Sequence, residues 1–315
     1  MKPRTSSADC PRLELHNGGL RVSMYLPDAQ RGYYRGTRFD WSGLIEQVEC
    51  HGHRFYGPLH IEHDPYRHDS VGGPAEEFAM FHPMGFAEAR PGESFVKIGV
   101  GLLERGENDT YRFDDEYRMV HPGEWVVEHG PAWVAFTQAL HGERGWAYHY
   151  RKAIRLHECH SAFVIEHRLE NRGDKTIDIT NYNHNFTIID DVPYGRDYVV
   201  EFPFSTDAPI PLGDIAWFRG SQIDVDRPLE DLALWWPVFE GDDPGNYNAA
   251  AVRNRRTGAA VAFRGDAPIT RMVFWAVERA ACPEPFIRIY LEPGRTQTWS
   301  TTYRFTVDAA PDHPQ

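Results

Sequence analysis

The chain has 315 residues, of which 41% are apolar, 25% charged and 13% aromatic, with a formal net charge of −13. This composition is typical of a globular protein with enough chain for a large core, and it excludes the disordered class. The negative charge argues against nucleic-acid and anionic-membrane partners, and no apolar run approaches the roughly 18 residues that span a bilayer.

The N-terminus is polar, and residues 1–12 are predicted to be frayed. They contain no hydrophobic segment typical of a secretory signal. The four cysteines are far apart and form no Cys-x-x-Cys pair: Cys10, Cys50, Cys159 and Cys282. A disulfide framework or zinc knuckle is therefore not indicated, and a reducing cytoplasm is the expected location.

The first elements are two short strands around an Asn-Gly-Gly turn in residues 13–26. The loop that follows carries Arg35 and Arg38 among glycines and aromatic residues. Arginine donates several hydrogen bonds at fixed angles, so this loop predicts a polar ligand site. A loop tied down by surface ion pairs is the alternative.

Six histidines lie between His51 and His82, both included. This density suggests a metal site, but His60 and His63 have an i,i+3 spacing without a helix around them, and no ligand motif follows. No metal is therefore predicted, and a metalloenzyme built on residues 51–68 is kept as an alternative.

Residues 72–86 predict a structured loop over a cleft. Glycines and prolines bracket Glu76, Glu77 and His82 among phenylalanines, without a regular period. Gly and Pro shape such a backbone, whereas Glu and His supply chemistry. A purely structural loop is the alternative.

From residue 95 onward the sequence is strongly β-like. The strand candidates are residues 95–103, 125–129, 133–140, 147–156, 248–253, 258–264, 271–278, 286–291 and 296–307. Residues 163–188, with a turn at 171–174, predict a hairpin. About fifteen to twenty strands without a linker predict an all-β fold, one large antiparallel β-sandwich domain over residues 13–307 with a C-terminal tail at 308–315.

The most informative stretch is residues 180–187, Thr-Asn-Tyr-Asn-His-Asn-Phe-Thr. In an extended chain Tyr182, His184 and Phe186 share one face and the three asparagines share the other. Because asparagine is disfavoured in strands, this run indicates that polar contacts outweigh local propensity. His184 is either a proton donor in a pocket or a partly buried histidine at a sheet edge.

Residues 183–186 resemble the Asn-His-x-x-Phe region of galactose mutarotase (aldose 1-epimerase) and its relatives. Four further segments are similar to that family, in the same order along the chain. Residues 36–39 resemble the strand with the substrate-binding arginine, and residues 82–86 resemble the His-Gly-containing loop. Residues 277–285 resemble the segment with the catalytic glutamate, and residues 291–295 resemble the closing Pro-Gly turn. His82-Pro83 replaces the usual His-Gly-Gly, so the chain resembles a divergent member of the superfamily.

The resemblance implies a supersandwich fold and an isomerase that interconverts the α and β anomers of a hexose or hexose derivative without a cofactor. The reaction needs a base and an acid with pKa values near neutral. Glu278 is predicted to be the base and a protonated His184 the acid, with Glu284 as the fallback base. The predicted sugar-binding residues are Arg38, His82, Arg35 and Glu77. A monomer or homodimer is expected.

Burial beside Met272 and Phe274 is expected to raise the pKa of Glu278 toward a useful value. Two other functions use the same fold class. One is a non-catalytic carbohydrate-binding protein. The other is a glycoside hydrolase that pairs Glu76 or Glu77 with Glu278, or a polysaccharide lyase that uses His184 with Tyr182.

Overall fold

The computed structural model describes residues 9–308. In chain order its strands are β1 (Arg12–His16), β2 (Leu20–Tyr25), β3 (Leu44–Cys50), β4 (His53–Arg54), β5 (Gly73–Phe78), β6 (Ser94–Lys97), β7 (Gly101–Glu104), β8 (Arg118–His121), β9 (Glu124–Gly130), β10 (Trp133–His141), β11 (Ala147–Leu156), β12 (Ala162–Asn171), β13 (Ile177–Phe186), β14 (Tyr198–Glu201), β15 (Ile210–Leu212), β16 (Ala216–Arg219), β17 (Gln222–Val225), β18 (Leu234–Glu240), β19 (Ala249–Asn254), β20 (Ala259–Gly265), β21 (Ile269–Val277), β22 (Ala280–Leu291) and β23 (Thr296–Val307).

The strands form four sheets, and the paired strands within them are antiparallel. The largest sheet has eleven strands in the order β15-β16-β17-β14-β19-β20-β23-β12-β11-β10-β9, and the second has five in the order β18-β21-β22-β13-β5. The main apolar core takes residues from both, such as Tyr150 and Phe305 from the larger sheet and Ile179 and Phe274 from the smaller. The prediction of an all-β antiparallel sandwich is confirmed.

The ends of the described chain belong to the fold. Cys10 is buried, the Leu26 N–H donates to the Pro11 carbonyl, and β1 begins at Arg12. Of the segment predicted to be frayed, residues 1–8 lie outside the described residues, as do residues 309–315 of the predicted tail. Within residues 9–308, no helix is long and apolar enough to cross a membrane.

Two predicted elements are wrong in their pairing. Residues 95–103 are not one strand, because the chain reverses between β6 and β7 with Gly99 at a φ of +78°. Residues 163–188 are not a hairpin, because β12 pairs with β11 and β23 while β13 pairs with β22 and β5. The predicted turn instead carries the chain from one sheet to the other. The alternation of apolar and polar residues is the same in a hairpin and in such a crossover, so the sequence pattern cannot distinguish them.

Strand β22 begins six residues before the predicted start at residue 286 and contains two prolines. A proline has no N–H to donate, so it is rare in a central strand. The Asn185 side chain holds this part of β22 to β13, since its Nδ2 donates to the Pro283 carbonyl at 2.7 Å. Glu284 is thereby fixed in a strand between Pro283 and Pro285.

The asparagines of β13 face the larger sheet. Asn183 Nδ2 donates to the hydroxyl of Tyr303 on β23 at 2.9 Å, and that hydroxyl donates to Asn185 Oδ1 at 2.9 Å. All three side chains are buried. The asparagines therefore tie the two sheets together, as their predicted position on the opposite face from His184 suggests.

We expect Tyr303→Phe to lower the free energy of unfolding by about 1–3 kcal/mol, because it leaves two buried amides without their shared partner. Urea unfolding measures the change. The control is Tyr290→Phe, which removes a hydroxyl from a ring that is 54% exposed. Equal stability of the two variants would contradict the bridging role of Tyr303.

Candidate active site

The face of the five-stranded sheet that points away from the larger sheet carries the chemistry. Tyr182 on β13 lies opposite Glu77 of β5 and Phe286 of β22 in the strand register. The same β13–β22 register sets His184 opposite Glu284. A second apolar cluster, which includes Phe39 from the loop after β2, packs on this face.

His184 and Glu284 contact each other directly. The distance from His184 Nε2 to Glu284 Oε1 is 3.1 Å, and each residue is only 5% exposed. The imidazole stacks on the Phe186 ring at 3.8 Å between centroids, and the Trp275 ring meets it edge-on at 5.1 Å. The pair is thus fixed in orientation and largely shielded from water.

Burial moves the pKa values of both groups toward their neutral forms. It raises the pKa of Glu284 to about 8, with the Arg38 charge opposing and the Glu77 charge adding to the rise. It lowers the pKa of His184 well below its ordinary value of 6.5, and the nearby Arg38 charge lowers this pKa further. At neutral pH the contact is therefore a hydrogen bond from a protonated Glu284 to a neutral imidazole rather than an ion pair.

Arg38 and Glu77, two of the predicted sugar-binding residues, contact each other on the same face. Arg38 Nε donates to Glu77 Oε2 at 2.9 Å, and Arg38 Nη2 donates to the Tyr182 hydroxyl at 2.8 Å. That hydroxyl and Lys97 Nζ donate to Glu77 at 2.7 and 2.8 Å. Burial alone would raise the pKa of Glu77, but Lys97 and Arg38 outweigh it, so its pKa is lowered and the carboxylate is ionised.

Glu76 points to the opposite face, since successive residues of a strand alternate. It lies between the sheets, with Lys152 Nζ at 2.5 Å and His167 Nε2 at 2.8 Å from its oxygens. Burial would raise the pKa of Glu76, yet these two neighbours lower it to about 2. The predicted loop of residues 72–86 is therefore in part a strand, β5, with one buried glutamate on each face.

Glu278, the predicted base, is not beside His184. It is exposed in the tight turn between β21 and β22. The expected burial requires Glu278 to lie within β21 beside Met272 and Phe274, but the strand ends before it. The sequence pattern places the end of β21 one residue late and the start of β22 six residues late, so Glu284 falls between the two predicted strands. The structure brings the fallback base, Glu284, to the histidine.

Arg35 and His82 also lie apart from the pair. Arg35 Nη1 donates to the Gln30 carbonyl, and its guanidinium lies 4.6 Å from the Tyr66 ring centre. His82 is exposed beside a surface cleft of about 280 Å³ whose lining includes Thr180. Thr180 is four residues from His184 on β13, about 13 Å at the rise of a strand.

The carboxylate pairs of the alternative hydrolase are not assembled, and the tyrosine of the lyase pair is already engaged by other residues. Glu76 and Glu77 face opposite sides of β5, and Glu278 is in an exposed turn, so the proposed hydrolase carboxylates do not converge. For the lyase pair, the Tyr182 and His184 ring centres are 6.2 Å apart, and the tyrosine hydroxyl is engaged by Glu77 and Arg38.

Three of the histidines of residues 51–68 contact three different partners. His53 Nδ1 lies 2.8 Å from Asp190, His60 Nε2 lies 3.0 Å from Asp69, and His63 Nε2 lies 2.7 Å from the Tyr33 carbonyl. Among residues 9–308, no group of three or more His, Cys, Asp or Glu side chains is arranged to hold a metal ion.

Sequence reasoning missed Lys97 and Trp275 and ranked Glu284 second. A signal for Glu284 existed, because a glutamate between two prolines next to a strand is unusual. Lys97 gave none, since a lysine in a β-like run predicts an exposed position. Only the pairing of strands places it against Glu77.

Comparisons with known proteins reveal the fold. No protein-family model and no curated protein matches the chain. A galactose mutarotase related enzyme from Lactobacillus acidophilus matches with a TM-score of 0.56 at 13% identity, covering 94% of this chain and 97% of that one. A galactose mutarotase-like protein from Lactobacillus casei matches with a TM-score of 0.53 at 11% identity, covering 94% and 100%.

A galactose 1-epimerase from Lactobacillus acidophilus has a TM-score of 0.53 at 11% identity, covering 98% of both chains. At such low identity, the structural similarity indicates a shared fold but not a shared activity. The predicted resemblance is confirmed at this level, and the described chain has the fold of the galactose mutarotase-like proteins.

Proposed function

We propose that the protein is an isomerase of the aldose 1-epimerase type, which exchanges the α and β anomers of a reducing sugar at His184 and Glu284. The observation that carries the proposal is the 3.1 Å contact between these two buried side chains. It places a proton donor and a proton acceptor side by side, both in neutral form.

Anomer exchange requires two coupled proton transfers. Glu284 gives its proton to the ring oxygen as the bond from that oxygen to C1 breaks, and Nε2 of His184 takes the proton of the C1 hydroxyl. The products are an open-chain aldehyde, a carboxylate and an imidazolium. Rotation about C1–C2 and the reverse transfers close the ring as the other anomer. The two oxygens share one carbon, so adjacent catalytic groups can reach both.

These roles reverse the predicted ones, in which a protonated His184 acts as the acid. The reason is desolvation, which disfavours the ionised form of both groups and leaves the exchangeable proton on Glu284. Nδ1 of His184 is buried and has no hydrogen-bond partner among residues 9–308. A hydroxyl of the sugar can accept a hydrogen bond from it.

Arg38 supports the pair through its charge. Its three side-chain nitrogens contact Glu77, Tyr182 and His68, and its charge lowers the pKa of both members of the pair. Because His184 and Glu284 are each 5% exposed, a sugar must displace side chains that cover them. Trp275, which is partly exposed, is one of these.

We expect His184→Ala and Glu284→Gln each to lower the rate of anomer exchange by about 10²- to 10⁴-fold, the usual contribution of acid–base groups. Polarimetry or NMR exchange with a panel of hexoses measures the rate. Glu278→Gln is the matched control, because it removes an exposed carboxylate from the same hairpin and should keep full activity. If only Glu278→Gln loses activity, the base is Glu278, as predicted from the sequence, and not Glu284.

If the wild-type protein accelerates no sugar but binds one, the carbohydrate-binding alternative replaces the isomerase. Retention of full activity in both His184→Ala and Glu284→Gln would instead show that the exchange takes place elsewhere.

The exchange rate should be pH-dependent on the alkaline side. Glu284 acts in its protonated form, and its pKa is about 8, so activity should fall roughly tenfold per pH unit above that pH. No decline is expected between pH 6 and 7.5, because the pKa of His184 lies well below 6.5. A rate that rises through pH 8 would contradict the assignment of Glu284 as the acid.

The raised pKa of Glu284 also affects stability. The unfolded chain loses this proton above a pH of about 4.5, whereas the folded chain keeps it until about 8, so the group costs stability progressively as the pH rises between these values. We therefore expect Glu284→Gln to raise the melting temperature more at pH 8.5 than at pH 5. An equal shift at both pH values would show that Glu284 is ionised in the folded protein.

A further inference from the structure

Strand β9 is an open edge of the eleven-stranded sheet. It pairs with β10 along all seven of its residues, and within residues 9–308 no other strand pairs with it. None of its side chains is buried, and Val126 is 55% exposed. The N–H and C=O groups on the outer side of β9 are therefore open to a strand from another molecule.

The other edges of the two larger sheets are protected against such pairing. At the far end of the same sheet, β15 has three residues and contains Pro211. In the five-stranded sheet, β18 contains Pro237 and an irregular register beside it. At its opposite edge β5 is buried throughout, and its Glu76 carbonyl accepts from the Asp40 N–H. Strand β9 contains no proline and no lysine, and it pairs with β10 without an irregularity.

The sequence of β9 is complementary to itself in one register. When two identical strands pair antiparallel about a two-fold axis, residues of the same face lie opposite each other, so the axis passes through one residue. A centre at Val127 pairs all seven residues and sets Glu128 opposite Val126 of the second copy. Moving the centre by one residue in either direction sets Glu128 opposite a glutamate of the second copy, which is unfavourable. Val127 is therefore the favoured centre.

The same register continues the apolar layer beneath the sheet. Trp125 and Val127 are partly buried and pack against the main core of their own copy. With the centre at Val127, Trp125 lies opposite His129 of the second copy and Val127 lies opposite Val127. Aromatic and β-branched side chains in such cross-strand positions stabilise an antiparallel pair. The inner face of the edge thus favours a second copy as the partner.

We propose that the protein forms a dimer in which β9 pairs antiparallel with β9 of a second copy, centred on Val127, so that the two eleven-stranded sheets become one. The proposal does not depend on anomer exchange, because β9 belongs to the sheet that carries neither His184 nor Glu284. Each copy has a formal net charge of −13, so salt that screens the repulsion between copies should strengthen the dimer.

Charge substitutions at Val126 test the register. Sedimentation velocity over a concentration series measures the dimer Kd of the wild type, Val126→Glu, Val126→Lys and the control Val120→Glu. In the proposed dimer residue 126 lies opposite Glu128 of the other copy twice, so Val126→Glu should raise the Kd about tenfold and Val126→Lys should lower it. Val120→Glu adds the same charge on β8, where the side chain is 44% exposed, and should leave the Kd unchanged.

A charge exchange separates the interface from a folding defect. Adding Glu128→Lys to Val126→Glu sets opposite charges across the pair again, and the double variant should recover the wild-type Kd. A wild type that stays monomeric at every concentration up to its solubility limit would overturn the proposal and leave the edge to an extended segment of another protein. Equal effects of Val126→Glu and Val126→Lys on a dimer would also overturn it, because the register predicts opposite signs.

Discussion

The structure depends on one constraint: residues 181–186 of β13 are buried on both faces of the strand, so their polar side chains need partners. On one face Asn183 and Asn185 bond to Tyr303 of the opposite sheet. On the other face His184 contacts Glu284. A shift of the register by one residue would exchange the two faces and break both sets of contacts. The bonds that join the sheets therefore also orient the candidate pair His184 and Glu284.

Three buried glutamates show how neighbouring charges decide whether a buried carboxyl group is ionised. Glu76 lies against Lys152 and His167, and Glu77 lies against Lys97 and Arg38, so both carboxylates are ionised despite full burial. Within residues 9–308 the Glu284 carboxyl has no lysine or arginine in direct contact and meets the neutral imidazole of His184, and burial raises its pKa to about 8. A buried charge without a close counter-charge takes up a proton, which makes Glu284 the group able to donate one near neutral pH.

The candidate site lies where the ordinary rules for strands are broken. Asparagines in β13 and two prolines in the central strand β22 are both unfavourable for a sheet. One asparagine and one proline are joined directly, since the Asn185 side chain donates to the carbonyl of Pro283. The result is a stretch of sheet in which Glu284 projects from a rigid backbone. Local features that disfavour a strand are thus retained where they position chemical groups.

The sequence by itself determined the all-β class, most strand positions and the two faces of residues 180–187, because these depend on periodicity and residue type within one short segment. It could not determine that β12 and β13 belong to different sheets, that Glu284 rather than Glu278 meets the histidine, or which buried glutamates are neutralised. These depend on pairings between residues 20 to 142 positions apart. The alternation of apolar and polar residues along a strand is the same whichever strand lies beside it, so only the tertiary structure decided these pairings.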